Sequence, residues 1–112
     1  PHAAYTLAKM GMSFVTIGLG AEFGPQGVAA NALWPKTIIA TDALNMIPGI
    51  PLERCRKPEI VADAAQAVLV RPARERTGAF LLDEDVLREA GVTDFSPYAV
   101  DPGQPLLPDL FL

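Results

Sequence analysis

The sequence predicts an α/β fold built around a parallel strand pair, and three observations predict it. Residues 3 to 23 run without a proline at a 3/4 apolar spacing, two short apolar runs near 28–35 and 79–83 read as buried strands, and a proline-started helix lies between those runs. Strand, helix and strand in that order make a parallel crossover. Two such strands are a poor sheet alone. Missing neighbours are therefore expected, either upstream of Pro1 in a longer protein or from another chain in an oligomer.

The first helix is expected over residues 3–23, ended by Gly24-Pro25-Gln26-Gly27. Ala4, Ala8, Gly11, Val15 and Gly18 form a stripe of small residues, and Leu7, Met10, Phe14 and Ile17 a bulkier one. His2, Thr6, Lys9, Ser13 and Thr16 form the polar line, with Tyr5 on its shoulder, so the helix is expected to be covered on most sides and open along that line. "VAANALWP", residues 28–35, reads as the first strand, stopped by Pro35. Thr41 is placed to cap a short helix over 42–47. Pro58 starts a helix over 59–70 whose Ile60, Ala64, Ala67 and Val68 share a face. After Thr77-Gly78, "AFLLD" reads as the second strand, and a small helix over 84–90 ends at Gly91. Asp83-Glu84-Asp85 reads as a solvated helix start favoured by the dipole. Residues 1–91 thus form the folded part. Prolines 97, 102, 105 and 108 forbid regular structure beyond it, yet Phe95, Tyr98, Leu106, Leu107, Leu110 and Phe111 are too apolar for a solvated tail, so 92–112 is expected to dock.

Composition narrows the function. A net charge of −4, with no basic run longer than Arg54-Cys55-Arg56-Lys57, argues against a nucleic-acid or anionic-membrane surface. No apolar stretch approaches the ~20 residues that span a bilayer. A lone Cys55 cannot form an internal disulfide, which fits a cytoplasmic setting. No metal site is expected, because His2 has no second ligand near it. A small molecule or a protein partner remains.

"YTLAK", residues 5–9, places a phenol and an ammonium one helical turn apart. A phenol holds its proton until about pH 10, and a cation beside it favours the phenolate. Alone the spacing is common. In order, however, the chain carries this pair, then a strand ending Asn31-Ala32-Leu33-Trp34-Pro35, then a Thr-rich loop, a helix, and Thr77-Gly78 before a strand. That order resembles the C-terminal half of the short-chain dehydrogenase/reductase family. "WPKT", "CRKPEIVADAA", "TGAF", "DED" and "YAVDPGQPLLPD" resemble more narrowly its hydroxysteroid-dehydrogenase-like protein 2 branch.

The resemblance implies the C-terminal part of a doubly wound, Rossmann-like parallel sheet, with the nucleotide-binding half and a catalytic Ser upstream of Pro1. It implies that Tyr5 exchanges a proton with a carbonyl or alcohol substrate. Lys9 would favour the phenolate and hold the ribose of NAD or NADP. Pro35, Thr37, Ile38 and Thr41 would form the nicotinamide-side loop: backbone near Ile38 meeting the carboxamide, and a Thr reaching the carboxamide or pyrophosphate. Lys36 stands where the family has Gly, and Thr41 lies one residue further from Pro35 than usual, so Thr37 and Thr41 both stay candidates. Residues 42–57 would form a substrate lid. The family also implies a homodimer or homotetramer through the first helix. Lacking a glycine-rich phosphate turn, the 112 residues alone are expected to be inactive. The alternative is a non-enzymatic interaction module that self-associates through its small-residue helix.

Overall fold

A computed structural model describes residues 2–109. The expected tail residues Leu110 and Phe111, with Leu112, lie outside them. The elements are α1 (Ala3–Phe23), β1 (Ala32–Trp34), α2 (Glu59–Leu69), β2 (Phe80–Leu82) and α3 (Asp83–Glu89), joined by short 3₁₀ turns. Two units divide the described chain, residues 2–33 with 69–81 and residues 34–68 with 82–109.

In the first unit α1 has the expected bounds, and Gly24 closes it by donating its N–H to Gly20 O. The polar line is open at Tyr5 and Lys9, as expected, but covered further along at Ser13. Ser13, on the polar line, and Gly20 are its buried residues, whereas Leu7, Phe14 and Val15 are exposed. The polar line can be covered because its hydroxyls are satisfied within the helix: Ser13 Oγ donates to Lys9 O at 3.3 Å and Thr16 Oγ1 to Met12 O at 2.9 Å. In the bulky stripe Leu7, Phe14 and Ile17 are exposed and Met10 is half-buried.

β1 and β2 pair directly, and two bonds rise in the same sense along both segments, Gly78 N–H to Ala30 O at 2.7 Å and Ala32 N–H to Ala79 O at 2.9 Å. The pair is therefore parallel, as the crossover requires. β1 is shorter than the expected 28–35 because side chains replace the ladder at its start. Thr77 Oγ1 accepts the Ala30 N–H at 3.1 Å, while the Asn31 amide donates to Arg76 O at 3.0 Å and accepts from Ala79 N–H at 3.1 Å. Asn31 and Thr77 thus stitch the strand entry. Gly78 follows at φ 69°, where a side chain would be strained. The same turn meets α1: a Cβ on Gly20 would lie 2.6 Å from Gly78 N and 2.9 Å from Thr77 Oγ1.

The second unit packs around Cys55, Ile60, Ala64, Val86, Leu87 and Ala99, all buried. Ile60 and Ala64 come from the predicted apolar face of α2. Beside them Arg56 is the middle rung of a small backbone lattice. Its N–H donates to Ile38 O at 2.9 Å, its C=O accepts from Ala40 N–H at 2.8 Å, and the residue bridges Ala99 on its other side. Residues of the proline-rich segment close the lattice: Lys57 N–H to Tyr98 O at 2.7 Å, Val100 N–H to Cys55 O at 3.0 Å, and Leu107 N–H to Arg54 O at 3.0 Å. Cys55 and Arg56, placed within the expected lid, therefore belong to the core. Burial pushes the Cys55 thiol up, with the Glu53 charge adding to it, which keeps the thiol protonated and unreactive.

Of the acidic triplet, Asp85 is exposed as expected, but Asp83 and Glu84 are not solvated. Asp83 is fully buried, its Oδ1 accepting the N–H groups of Lys36 and Glu84, and Glu84 is nearly so because it meets a buried cation. Arg56 Nη2 lies 2.6 Å from Glu84 Oε2, and Glu84 Oε1 receives Lys36 Nζ at 3.1 Å and Arg88 Nη2 at 3.0 Å. The Phe95 ring lies 5.5 Å from the Arg56 guanidinium and 4.6 Å from that of Arg88. Burial works against the Glu84 charge, but hydrogen bonds from Arg56, Arg88 and Lys36 overcome it and hold the carboxyl at about 2. Burial pushes Asp83 the other way, upward, against backbone N–H bonds from Lys36 and Glu84 and the Arg56 charge.

Two predictions follow from this packing. Gly20→Ala should destabilise the fold by about 1–3 kcal/mol, since backbone atoms must move, whereas Gly18→Ala, with nothing within 4 Å of its new Cβ, should gain about 0.5–1 kcal/mol. Denaturant unfolding of the two variants checks this, and equal midpoints would contradict it. The second concerns acid. A carboxyl held below its ordinary 4.5 stabilises the folded state above that value and loses the contribution as pH falls towards about 2. Asp83, shifted upward, works in the opposite sense, favouring the folded state at the acid end. Glu84→Gln should therefore flatten the acid limb of a pH–stability curve measured between pH 2 and 7; an unchanged limb would show that Glu84 does not carry it.

Candidate active site

The 3.6-residue period of α1 brings Tyr5 and Lys9 onto one face, and the Lys9 Nζ lies 5.5 Å from the centre of the Tyr5 ring. Both side chains are exposed, Tyr5 at 48%. The pair therefore presents a phenol with a cation beside it to whatever covers this face. Both residues belong to the first unit.

Pro35, Thr37, Ile38 and Thr41 belong to the second unit, on the segment that leaves the C-terminal end of β1. In open α/β sheets that end is where ligands collect. An extended segment turns alternate backbone groups to opposite sides, and here one set is used up. Lys36 N–H donates to Asp83 Oδ1 at 2.9 Å, Lys36 O accepts from Asp109 N–H at 3.2 Å, and Ile38 N–H donates to Leu107 O at 3.0 Å. With the Arg56 bonds to Ile38 and Ala40, residues 36, 38 and 40 all face protein. Thr37 and Ile39 differ: among the described residues neither the N–H nor the C=O of either has a hydrogen-bond partner, and of the two Thr37 is the buried one.

The two threonines are also told apart. Thr37 is buried and its Oγ1 has no hydrogen-bond partner among the described residues. Thr41 is exposed and stands before the 3₁₀ turn Asp42–Met46, but its side chain makes no capping bond, so the capping role expected of it is not found. Its C=O accepts the Leu44 N–H at 3.0 Å instead, which leaves the hydroxyl to other partners. Lys36 is tied twice more, Nζ reaching Glu84 Oε1 and Asp85 Oδ1, each at 3.1 Å. The hydrogen bonds it donates to Asp85 and then Glu84 raise its pKa, so the charge is secure.

Sequence reasoning did not find the Arg56–Glu84 pair. Its partners lie far apart in the chain, and neither "CRKP" nor "DED" has a spacing that names the other. The usable signal was weaker: an arginine next to a cysteine and between apolar segments needs a counter-charge if it is buried.

No family model matches the chain. Among curated proteins, the hydroxysteroid dehydrogenase-like protein 2 of Danio rerio is 52% identical over 112 residues, covering 99% of this chain and 26% of its own. That of Homo sapiens is 48% identical with the same coverage. The chain thus spans about a quarter of the length of these relatives. Among solved structures, a candidate dehydrogenase from Xanthomonas campestris superimposes with a TM-score of 0.94 at 67% identity, over 98% of this chain and 40% of that one. A short-chain dehydrogenase from Mycobacterium thermoresistibile follows with a TM-score of 0.86 at 45% identity, over 96% and 39%. Over nearly its whole length this chain matches part of a short-chain dehydrogenase, of the hydroxysteroid dehydrogenase-like protein 2 kind.

Proposed function

We propose that these residues supply the proton donor and the nicotinamide-side loop of an NAD- or NADP-dependent short-chain oxidoreductase that interconverts a carbonyl and an alcohol. The observation that carries this reading is the Tyr5–Lys9 pair, one helical turn apart with the ammonium 5.5 Å from the ring centre, in a chain whose relatives are dehydrogenases. A bound nicotinamide dinucleotide supplies hydride transfer. Tyr5 would give its proton to the substrate oxygen during reduction and take it back during oxidation, with Lys9 stabilising the phenolate left behind. Lys9 would also bind the nicotinamide ribose hydroxyls.

The loop suits a primary carboxamide, which offers N–H donors and one C=O acceptor. Ile39 has an unpaired C=O and an unpaired N–H to answer them, so the contact expected near Ile38 is assigned to the next residue. Thr41, two residues on and with a hydroxyl outside the lattice, is preferred to the enclosed Thr37 for the second contact. Pro35, at the strand end, fixes the direction in which the loop leaves. The reading places the protein in the cytoplasm and the 112 residues alone as inactive, since they carry no glycine-rich phosphate turn.

The exposed Leu7, Phe14 and Val15 of α1 support a second role for the same helix. An apolar helix face of this size favours association, either as a homodimer or homotetramer of the enzyme or, if no chemistry is present, as an interaction module. Tyr5→Phe separates the two. In a full-length protein carrying these residues it should lower kcat by roughly 10²–10⁴-fold while cofactor binding is kept. Near-normal turnover would remove Tyr5 as the acid.

A further inference from the structure

Among the described residues Glu84 forms its ion pairs with Lys36, Arg56 and Arg88 and not with the residues assigned to cofactor or substrate, yet two of those cations belong to the lattice around the loop. Its Oε2 holds Arg56 Nη2 at 2.6 Å, and its Oε1 takes Lys36 Nζ at 3.1 Å and the Arg88 Nε and Nη2 at 3.1 and 3.0 Å. Arg56 in turn brackets Ile39, donating to the carbonyl before it and accepting from the amide after it. Lys36 carries the loop's start, its own N–H fixed on Asp83 Oδ1. One carboxylate therefore holds the side chains of Arg56, whose backbone pins residues 38 and 40, and of Lys36, whose own backbone is fixed by Asp83 and Asp109. Because backbone directions alternate, that pinning is what leaves Ile39 unpaired.

We propose that Glu84 is a positioning residue for the nicotinamide end of the cofactor: by holding Arg56 and Lys36 it fixes residues 35–41 so that the Ile39 amide and carbonyl stay presented together. This rests on the oxidoreductase reading above. It also accounts for Lys36, which stands where the resembling family has glycine. A glycine would leave the loop's first turn free, whereas Lys36 ties it to Glu84 and Asp85.

The test compares ligands with and without the nicotinamide. In a full-length protein carrying these residues, calorimetric titrations of NADH, NADPH, ADP-ribose and 2′-phospho-ADP-ribose are run on wild type, Glu84→Gln and Lys36→Met. ADP-ribose and its 2′-phosphate lack the carboxamide that the Ile39 backbone would meet. Glu84→Gln should raise the Kd of the dinucleotide that the wild type binds roughly tenfold and leave that of its nicotinamide-free counterpart within about twofold. Lys36→Met removes one exposed partner without unpairing buried Arg56, so it serves if Glu84→Gln does not fold; it should show the same selectivity at roughly threefold. Equal weakening of both ligands would make Glu84 merely structural, and no weakening of either would remove its role; both overturn the proposal while the oxidoreductase reading stands. A wild type that binds none of the four ligands would overturn that reading and this proposal with it.

Discussion

The second unit depends on one buried charge. Arg56 is 5% exposed, and a guanidinium in that position is tolerable only because Glu84 meets it at 2.6 Å. Arg56 Nε and Nη1, Asp83 Oδ2 and Thr37 Oγ1 remain buried without partners among the described residues. Such a cluster is poor evidence for net stability, since apolar residues of similar volume do as well. It is good evidence for specificity of arrangement. The backbone of Arg56 is also the rung between the loop after β1 and the proline-rich segment, so the charge pair and the lattice stand or fall together.

The helices were legible because their signals are local. Proline-free periodicity and the Gly-Pro stop set the bounds of α1, and Pro58 set the start of α2 within a residue. Strand length was not legible, because the Asn31 amide and Thr77 hydroxyl take over bonds that a ladder would otherwise make, and a side-chain substitution of that kind leaves the apolar pattern unchanged. The cover over Ser13 and Thr16 was not legible for a related reason. Ser13 and Thr16 look solvated by residue type, but a hydroxyl returned to the preceding turn behaves as a small, satisfied group that can be covered.

The candidate site divides along the same line. Tyr5 and Lys9 could be found from spacing, because a helix converts a four-residue interval into a shared face. Ile39 could not. Choosing it over Ile38 needs to know which backbone groups are already spent, and that depends on Leu107 and Arg56, far away in sequence. Asp83 and Glu84 show the limit most clearly. Three acidic residues at a helix start are a reasonable solvated cap until a buried arginine is known to lie against them.

Arg56 and Glu84 form one coupled unit, and a double-mutant cycle in a full-length protein carrying these residues tests that coupling. Arg56→Met, Glu84→Gln and the double variant are unfolded by denaturant at pH 7. Each single change leaves a buried polar group without its partner and should cost about 3–5 kcal/mol. The double variant should cost clearly less than the sum, by ~1–3 kcal/mol. Strict additivity would mean that the two side chains act independently, and that the lattice around the loop does not rest on their contact.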